Sequence, residues 1–96
     1  MNRRAVRVAT QVVDYTKRLA PDSRRAIKQG LEHLREERGD IQALEANLSG
    51  YYRLRVGKYR LLFSYAADGA IEVVFIEERR LVYELFEAHF IKRLKS

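Results

Sequence analysis

The stretch Tyr51-Tyr52-Arg53-Leu54-Arg55-Val56-Gly57-Lys58-Tyr59-Arg60-Leu61-Leu62-Phe63 decides the reading of this chain. Apolar and polar residues alternate with period two, the alternation breaks at Gly57-Lys58, and then it resumes. That pattern predicts a strand, a tight turn and a second strand. Residues two apart on a strand share a face, so Arg53 and Arg55 project together, away from Tyr52, Leu54 and Val56. Four cations, Arg53, Arg55, Lys58 and Arg60, fall within residues 51–60, with no anion among them. A fold gains little by lining one sheet face with uncompensated guanidinium groups. An anionic partner explains them, and phosphate is the common one.

Working outward, three strands are expected, over about 51–56, 58–66 and 70–76, with Ala67-Asp68-Gly69 as the second turn. The third becomes almost continuously apolar and reads as central. Upstream, residues 4–9 read as a short strand with Val6 and Val8 on one face, and residues 10–19 as a helix. Pro21 suits a helix N-terminus, where its missing N–H does no harm, and Asp22 complements the dipole of that first turn. Ala26, Ile27, Leu31 and Leu34 then recur at helical spacing, and Gly39 is a plausible stop. Residues 40–50 read as a connector, with Ile41, Leu44 and Leu48 resting on the core. From Leu81 to Lys95, apolar residues return at helical spacing and predict a terminal amphipathic helix.

The expected architecture is α+β in a single domain over residues 1–96. A small antiparallel sheet of about four strands carries its helices, two N-terminal and one C-terminal, packed on one face. The expected core is Val6, Val8, Ile27, Leu31, Leu34, Leu54, Leu61, Phe63, Val73 and Phe75.

With 96 residues there is room for one modest core, and 47% hydrophobic content with ten aromatics suffices to fill it. The chain has no cysteine, which removes disulfides, thiolate metal sites and cysteine nucleophiles. Its two histidines, His33 and His89, lie far apart and make no metal site. No apolar run approaches a membrane span, and Met1-Asn2-Arg3-Arg4 lacks the apolar segment of a signal peptide. These features point to a soluble protein of the cytoplasm. The net charge of +6 favours nucleic acid or an acidic protein as partner, or serves solubility alone. Its concentration at residues 53–60 favours a binding role.

The order of elements resembles the RelE/ParE superfamily of bacterial type II toxins. So does the phrase from Leu48-Ser49-Gly50 through Tyr59-Arg60-Leu61-Leu62-Phe63, which resembles the family's Leu-x-Gly, basic strand, tight turn and Tyr-Arg-aliphatic-aliphatic-aromatic. Arg79, Arg80 and Val82-Tyr83 resemble its basic C-terminal segment ending in tyrosine. In the RelE branch this implies a ribosome-dependent endoribonuclease that cuts messenger RNA. The ribose 2′-hydroxyl attacks the adjacent phosphate, with no metal or cofactor required. It also implies a cognate antitoxin, with operator DNA reached only through the antitoxin complex, and no membrane partner.

Residue by residue, the resemblance places Arg60 at the family's phosphate-contacting arginine, Arg53 and Arg55 at two RelE lysines, and Tyr83 at a tyrosine near the reacting nucleotide. Lys58, Arg79 and Arg80 become substrate-binding cations. Two positions depart from the pattern. Arginine is no practical base near neutral pH, because its pKa exceeds about 12. Glu77 stands where RelE carries a late catalytic arginine, so charge is reversed there. Either Arg79 or Arg80 compensates, or Glu77 or Glu78 acts as base, as a glutamate does in some family members. A ParE-like toxin that binds DNA gyrase without cutting RNA is the alternative, as is an inactive member that binds only its antitoxin. Structural roles also compete. Arg60 could pair with Glu72 or Glu77 across the sheet, Arg53 and Arg55 could bind antitoxin, and Tyr51, Tyr52, Tyr59 and Tyr65 read as ordinary strand residues.

Overall fold

Five strands form one sheet in the computed structural model, which describes residues 3–78 and 82–88. In chain order the elements are β1 (Val6–Val8), α1 (Thr10–Lys17), α2 (Pro21–Leu34), β2 (Asp40–Ala43), β3 (Tyr52–Val56), β4 (Tyr59–Tyr65) and β5 (Ile71–Glu78). A 3-10 turn at Ala46–Leu48 precedes β3, and residues 82–88 form a helix, here α3. The remainder of the helix expected over 81–95 lies outside the described residues. Across the sheet the strands run β1-β5-β4-β3-β2. β5 is therefore interior, and β4 holds the centre.

Two expectations about the sheet are corrected. The connector over 40–50 contains a fifth strand, β2, paired antiparallel to β3 from Asp40↔Arg55 to Ala43↔Tyr52. An edge strand of four residues, with Ile41 its one large apolar side chain, is too short for its alternation to stand out; backbone pairing defines it. The sheet is also not wholly antiparallel, since β1 runs parallel to β5 from Val6↔Ile71 to Val8↔Val73.

The β3–β4 hairpin turns at Gly57-Lys58 as expected, with Val56 opposite Tyr59. Gly57 takes a positive φ of 59°, a conformation that glycine adopts without penalty. Alternation then sends Leu54, Tyr59, Leu61 and Phe63 to one face, where Val12 of α1 and Ile27 and Leu34 of α2 close over them. The other face is not left bare, which corrects the expectation that all helices share one side. Leu48, Leu62, Phe75, Val82 and Phe86 form a second cluster there, covered by α3. The consecutive apolar run Leu61-Leu62-Phe63 requires this, because a strand with both faces apolar must be buried on both.

Seven of the ten expected core residues are buried, while Val6, Val8 and Leu31 are half-buried and pack against the first cluster. Phe75 and Val73, two apart, do not share a face. Leu62 pairs with Phe75 while Phe63 pairs with Val73, so Val74 is an extra residue, a β-bulge. The bulge reverses the alternation of β5 beyond it. Val73 and Ile76 face α1 and α2, and Phe75 faces the other way.

Because β1 stops opposite Val73, the outer edge of β5 is uncovered beyond that point. Gln11 of α1 fills the gap: its side-chain amide donates to the Ile76 carbonyl and accepts from the Ile76 N–H, both at 2.9 Å. The amide supplies the two backbone groups that a sixth strand would have offered.

Two tyrosines link this packing to pH. Burial, reinforced by Glu77 and Glu78, pushes the Tyr15 hydroxyl up to about 12. Burial and its hydrogen bond to Glu37, at 2.7 Å, push the Tyr65 hydroxyl up to about 12 as well. A group raised in the folded state stabilises it fully below its unfolded value, here about 10, and loses that contribution as pH rises towards the folded value. Thermal melts should therefore be flat to about pH 9 and fall between about pH 10 and 12. Tyr15→Phe and Tyr65→Phe should each flatten that alkaline limb; an unchanged limb in both variants would contradict the assignment.

Candidate functional site

Register places four charged residues in one row across the sheet. Asp40 of β2 lies opposite Arg55 of β3, Arg55 opposite Arg60 of β4, and Arg60 opposite Glu77 of β5. The neighbouring row runs Gln42, Arg53, Leu62, Phe75. The hairpin thus brings Arg53, Arg55 and Arg60 onto the face opposite α1 and α2, and the bulge sets Glu77 in register beside Arg60 while its carboxylate meets Tyr15 of α1.

The carboxylates at the two ends of the row do not neutralise its centre. Asp40 reaches diagonally to Arg53, whose Nη2 lies 2.8 Å from Oδ1. Arg53 is largely buried, at 13% side-chain exposure, and its Nε finds no hydrogen-bond partner among the described residues. Glu77 turns back on its own strand and accepts from the Glu78 N–H at 3.3 Å. It also faces Tyr15, helping to raise that hydroxyl. Among the described residues, neither Arg55 nor Arg60 forms an ion pair. Arg60 donates only to the nearby carbonyls of Gly57 and Tyr59, at 3.3 and 3.4 Å. The cross-strand pairing of Arg60 with Glu72 or Glu77 is thus not formed, and Glu72 pairs instead with Arg7 at 3.5 Å. Like charges directly opposite on a sheet repel. This fold holds two guanidinium groups in that arrangement, each with donors to spare.

Tyr83 lies on α3, half-buried against the second cluster, and so on the same side of the sheet as the arginines. Lys58 is not brought to them. Its Nζ sits 3.4 Å from Glu78 and 5.6 Å from the Tyr59 ring centroid, and Glu78 is in register with Tyr59 on the α1/α2 side. Arg79 and Arg80 lie outside the described residues, as does His89. The strand tyrosines are engaged in packing: Tyr52 stacks on Phe63 at 5.5 Å, Tyr59 meets Tyr15 edge-on at 6.2 Å, and Tyr51 meets Phe86 edge-on at 5.0 Å.

Sequence reading missed the neighbours of Glu77. Gln11, Asp14, Tyr15 and Arg18, all from α1 or its C-terminal cap, line a pocket with it. Nothing local joins residues so distant in the chain; only the docking of α1 against the end of β5 does. A second feature lies between α1 and α2. Val8, Val12, Val13, Ile27 and Leu31 floor a groove of about 460 Å3 between the two helices, rimmed by Lys17, Arg24 and Lys28. Val13, at 38% exposure, is one of the more exposed large apolar side chains.

By sequence, no family model and no curated protein matches the chain. By structure, similarity is extensive. A chain of the toxin–antitoxin complex RelBE2 from Mycobacterium tuberculosis superposes with a TM-score of 0.71 at 23% identity, covering 82% of this chain and 94% of that one. One from the archaeal RelE–RelB complex of Pyrococcus horikoshii gives 0.67 at 27% identity, covering 83% and 98%. The isolated RelE toxin of E. coli gives 0.64 at 15% identity and covers 95% and 98%. The chain has the fold of the RelE-like toxin superfamily. No helix among the described residues is long and apolar enough to cross a membrane.

Proposed function

We propose that this chain is the toxin of a type II toxin–antitoxin pair and that it cleaves messenger RNA on the ribosome. The observation that carries this reading is the facing pair Arg55 and Arg60, without ion partners among the described residues, on a RelE-like fold. Their guanidinium forks grip the non-bridging oxygens of the scissile phosphate, with Arg53 held behind them by Asp40. Neither arginine takes a proton. Glu77, opposite Arg60, accepts the proton of the ribose 2′-hydroxyl, whose oxygen then attacks the adjacent phosphorus. The 5′-oxygen leaves and is protonated by water, giving a 2′,3′-cyclic phosphate and a free 5′-hydroxyl. The arginines stabilise the added negative charge in the transition state, and Tyr83 stacks on a displaced base.

Primer extension on messenger RNA after brief expression tests the proposal. New 5′ ends within translated codons are expected. Intact messages with induction of the DNA-damage response would transfer support to a ParE-like gyrase inhibitor, the reading favoured by a glutamate rather than an arginine at position 77.

The antitoxin belongs to the same proposal. The groove between α1 and α2 pairs an apolar floor with a cationic rim, the complement of an acidic amphipathic segment. Val13→Glu puts an anion on the exposed floor and should weaken co-purification with the product of the adjacent reading frame at least tenfold, without lowering Tm. Undiminished association would remove this groove from the interface.

A further inference from the structure

Asp40 has two arginines within reach and pairs with the less accessible one. By register it lies directly opposite Arg55, and residues so placed have Cβ atoms about 5 Å apart, an easy span for a carboxylate and a guanidinium. Its Oδ1 instead meets Nη2 of Arg53, the diagonal neighbour, at 2.8 Å. Alternation keeps these residues and Arg60 together on the face away from α1 and α2, because Ile41, Leu54, Tyr59 and Leu61 between them pack into the first cluster. Arg53 retains 13% side-chain exposure and its Nε is buried, so a phosphate carried on a bulky strand finds little of it to grip. Arg55 is exposed and faces Arg60 across the hairpin. The choice that Asp40 makes has a physical cause: a cation taken out of water needs a counter-ion more than one left in it.

We propose that Arg53 is a positioning residue rather than a ligand of the phosphate: it sequesters Asp40 and so keeps the Arg55 guanidinium free for RNA. The inference rests on the RNA-cleaving reading and divides the labour among its arginines. Without the Arg53 cation, Asp40 turns to Arg55, its direct cross-strand neighbour. The row then loses one of the two guanidinium forks that hold the phosphate.

The test is suppression, read by fluorescence anisotropy with a labelled, fully 2′-O-methylated RNA dodecamer, which cannot be cleaved by 2′ attack. Every variant is the full chain, with its melting curve recorded. Arg53→Met fills the buried space without charge. It is expected to weaken binding at least about tenfold and to lower the salt slope by about 0.7, as loss of one phosphate contact on a single strand does. Adding Asp40→Asn to it should return both affinity and slope close to the parent's. Arg53→Lys, which keeps a cation for Asp40, should recover most of the loss. Asp40→Asn alone should tighten binding about two- to threefold, because an anion beside the arginine pair is gone. A weaker complex in that variant would make Arg53 itself a phosphate ligand and overturn the proposal, whether or not Arg53→Met folds. So would a double variant no better than Arg53→Met. Glu45→Gln removes an exposed carboxylate outside the row, and equal suppression by it would reduce the effect to net charge and also overturn the proposal. If Arg60→Ala is weakened while Arg53→Met is not suppressed, the positioning role is wrong and the phosphate row stands. If Arg60→Ala binds like the parent, or the parent does not bind even at low salt, both fall.

Discussion

Arg60→Ala is expected to abolish growth arrest and messenger cleavage while leaving the fold intact. A cation acting on the developing charge contributes roughly 3 kcal/mol to the barrier, about a hundredfold in rate. Its contribution to stability is small by comparison. The guanidinium makes two long hydrogen bonds to adjacent carbonyls and forms no ion pair among the described residues. Removing it also relieves repulsion with Arg55 across the hairpin. Melting temperature should move by no more than a few degrees. Arg60→Lys keeps the charge, loses the fork and should recover activity only in part. Two outcomes would sink the assignment: an unfolded Arg60→Ala protein, or a folded one as toxic as the parent.

Phe63→Ala should have the largest effect on stability. Phe63 is fully buried on the central strand, stacked on Tyr52 at 5.5 Å and edge-on to Tyr65 at 5.9 Å. Truncating such a ring costs about 3–5 kcal/mol. A domain of this size has about 5–15 kcal/mol in total, so the variant should retain only a fraction of it. Urea denaturation should show a midpoint reduced by about a third or more with the slope preserved. A loss below about 1 kcal/mol would mean that β4 is packed in a different register.

The hairpin is legible in the sequence because its information is local: alternation places the side chains, and Gly57 places the turn. Those two rules alone put Arg53, Arg55 and Arg60 on one face. β2 escapes them because its identity lies in backbone pairing with β3, and Asp40, which occupies Arg53, escapes with it. The bulge at Val74 is equally invisible, since an apolar run reads the same with or without an extra residue. Yet that residue puts Glu77 beside Arg60 and separates Phe75 from Val73. Lys58 shows the converse: a cation adjacent in sequence is turned by Glu78 to the other side of the sheet. Gln11, Tyr15 and Arg18 reach Glu77 only through the docking of α1, which no spacing rule anticipates.

The Gln11 amide has a consequence for self-association. An open strand edge is a template on which another chain can polymerise, and β5 is apolar enough to be a dangerous one. By occupying the Ile76 N–H and carbonyl from a helix, Gln11 withdraws that template without adding a strand. The far edge of the sheet is guarded differently, by a four-residue strand carrying Asp40 and Gln42. An extended segment seeking to add to the C-terminal half of β5 must first dislodge α1. Growth into fibrils from that side is thereby gated by the docking of a single eight-residue helix.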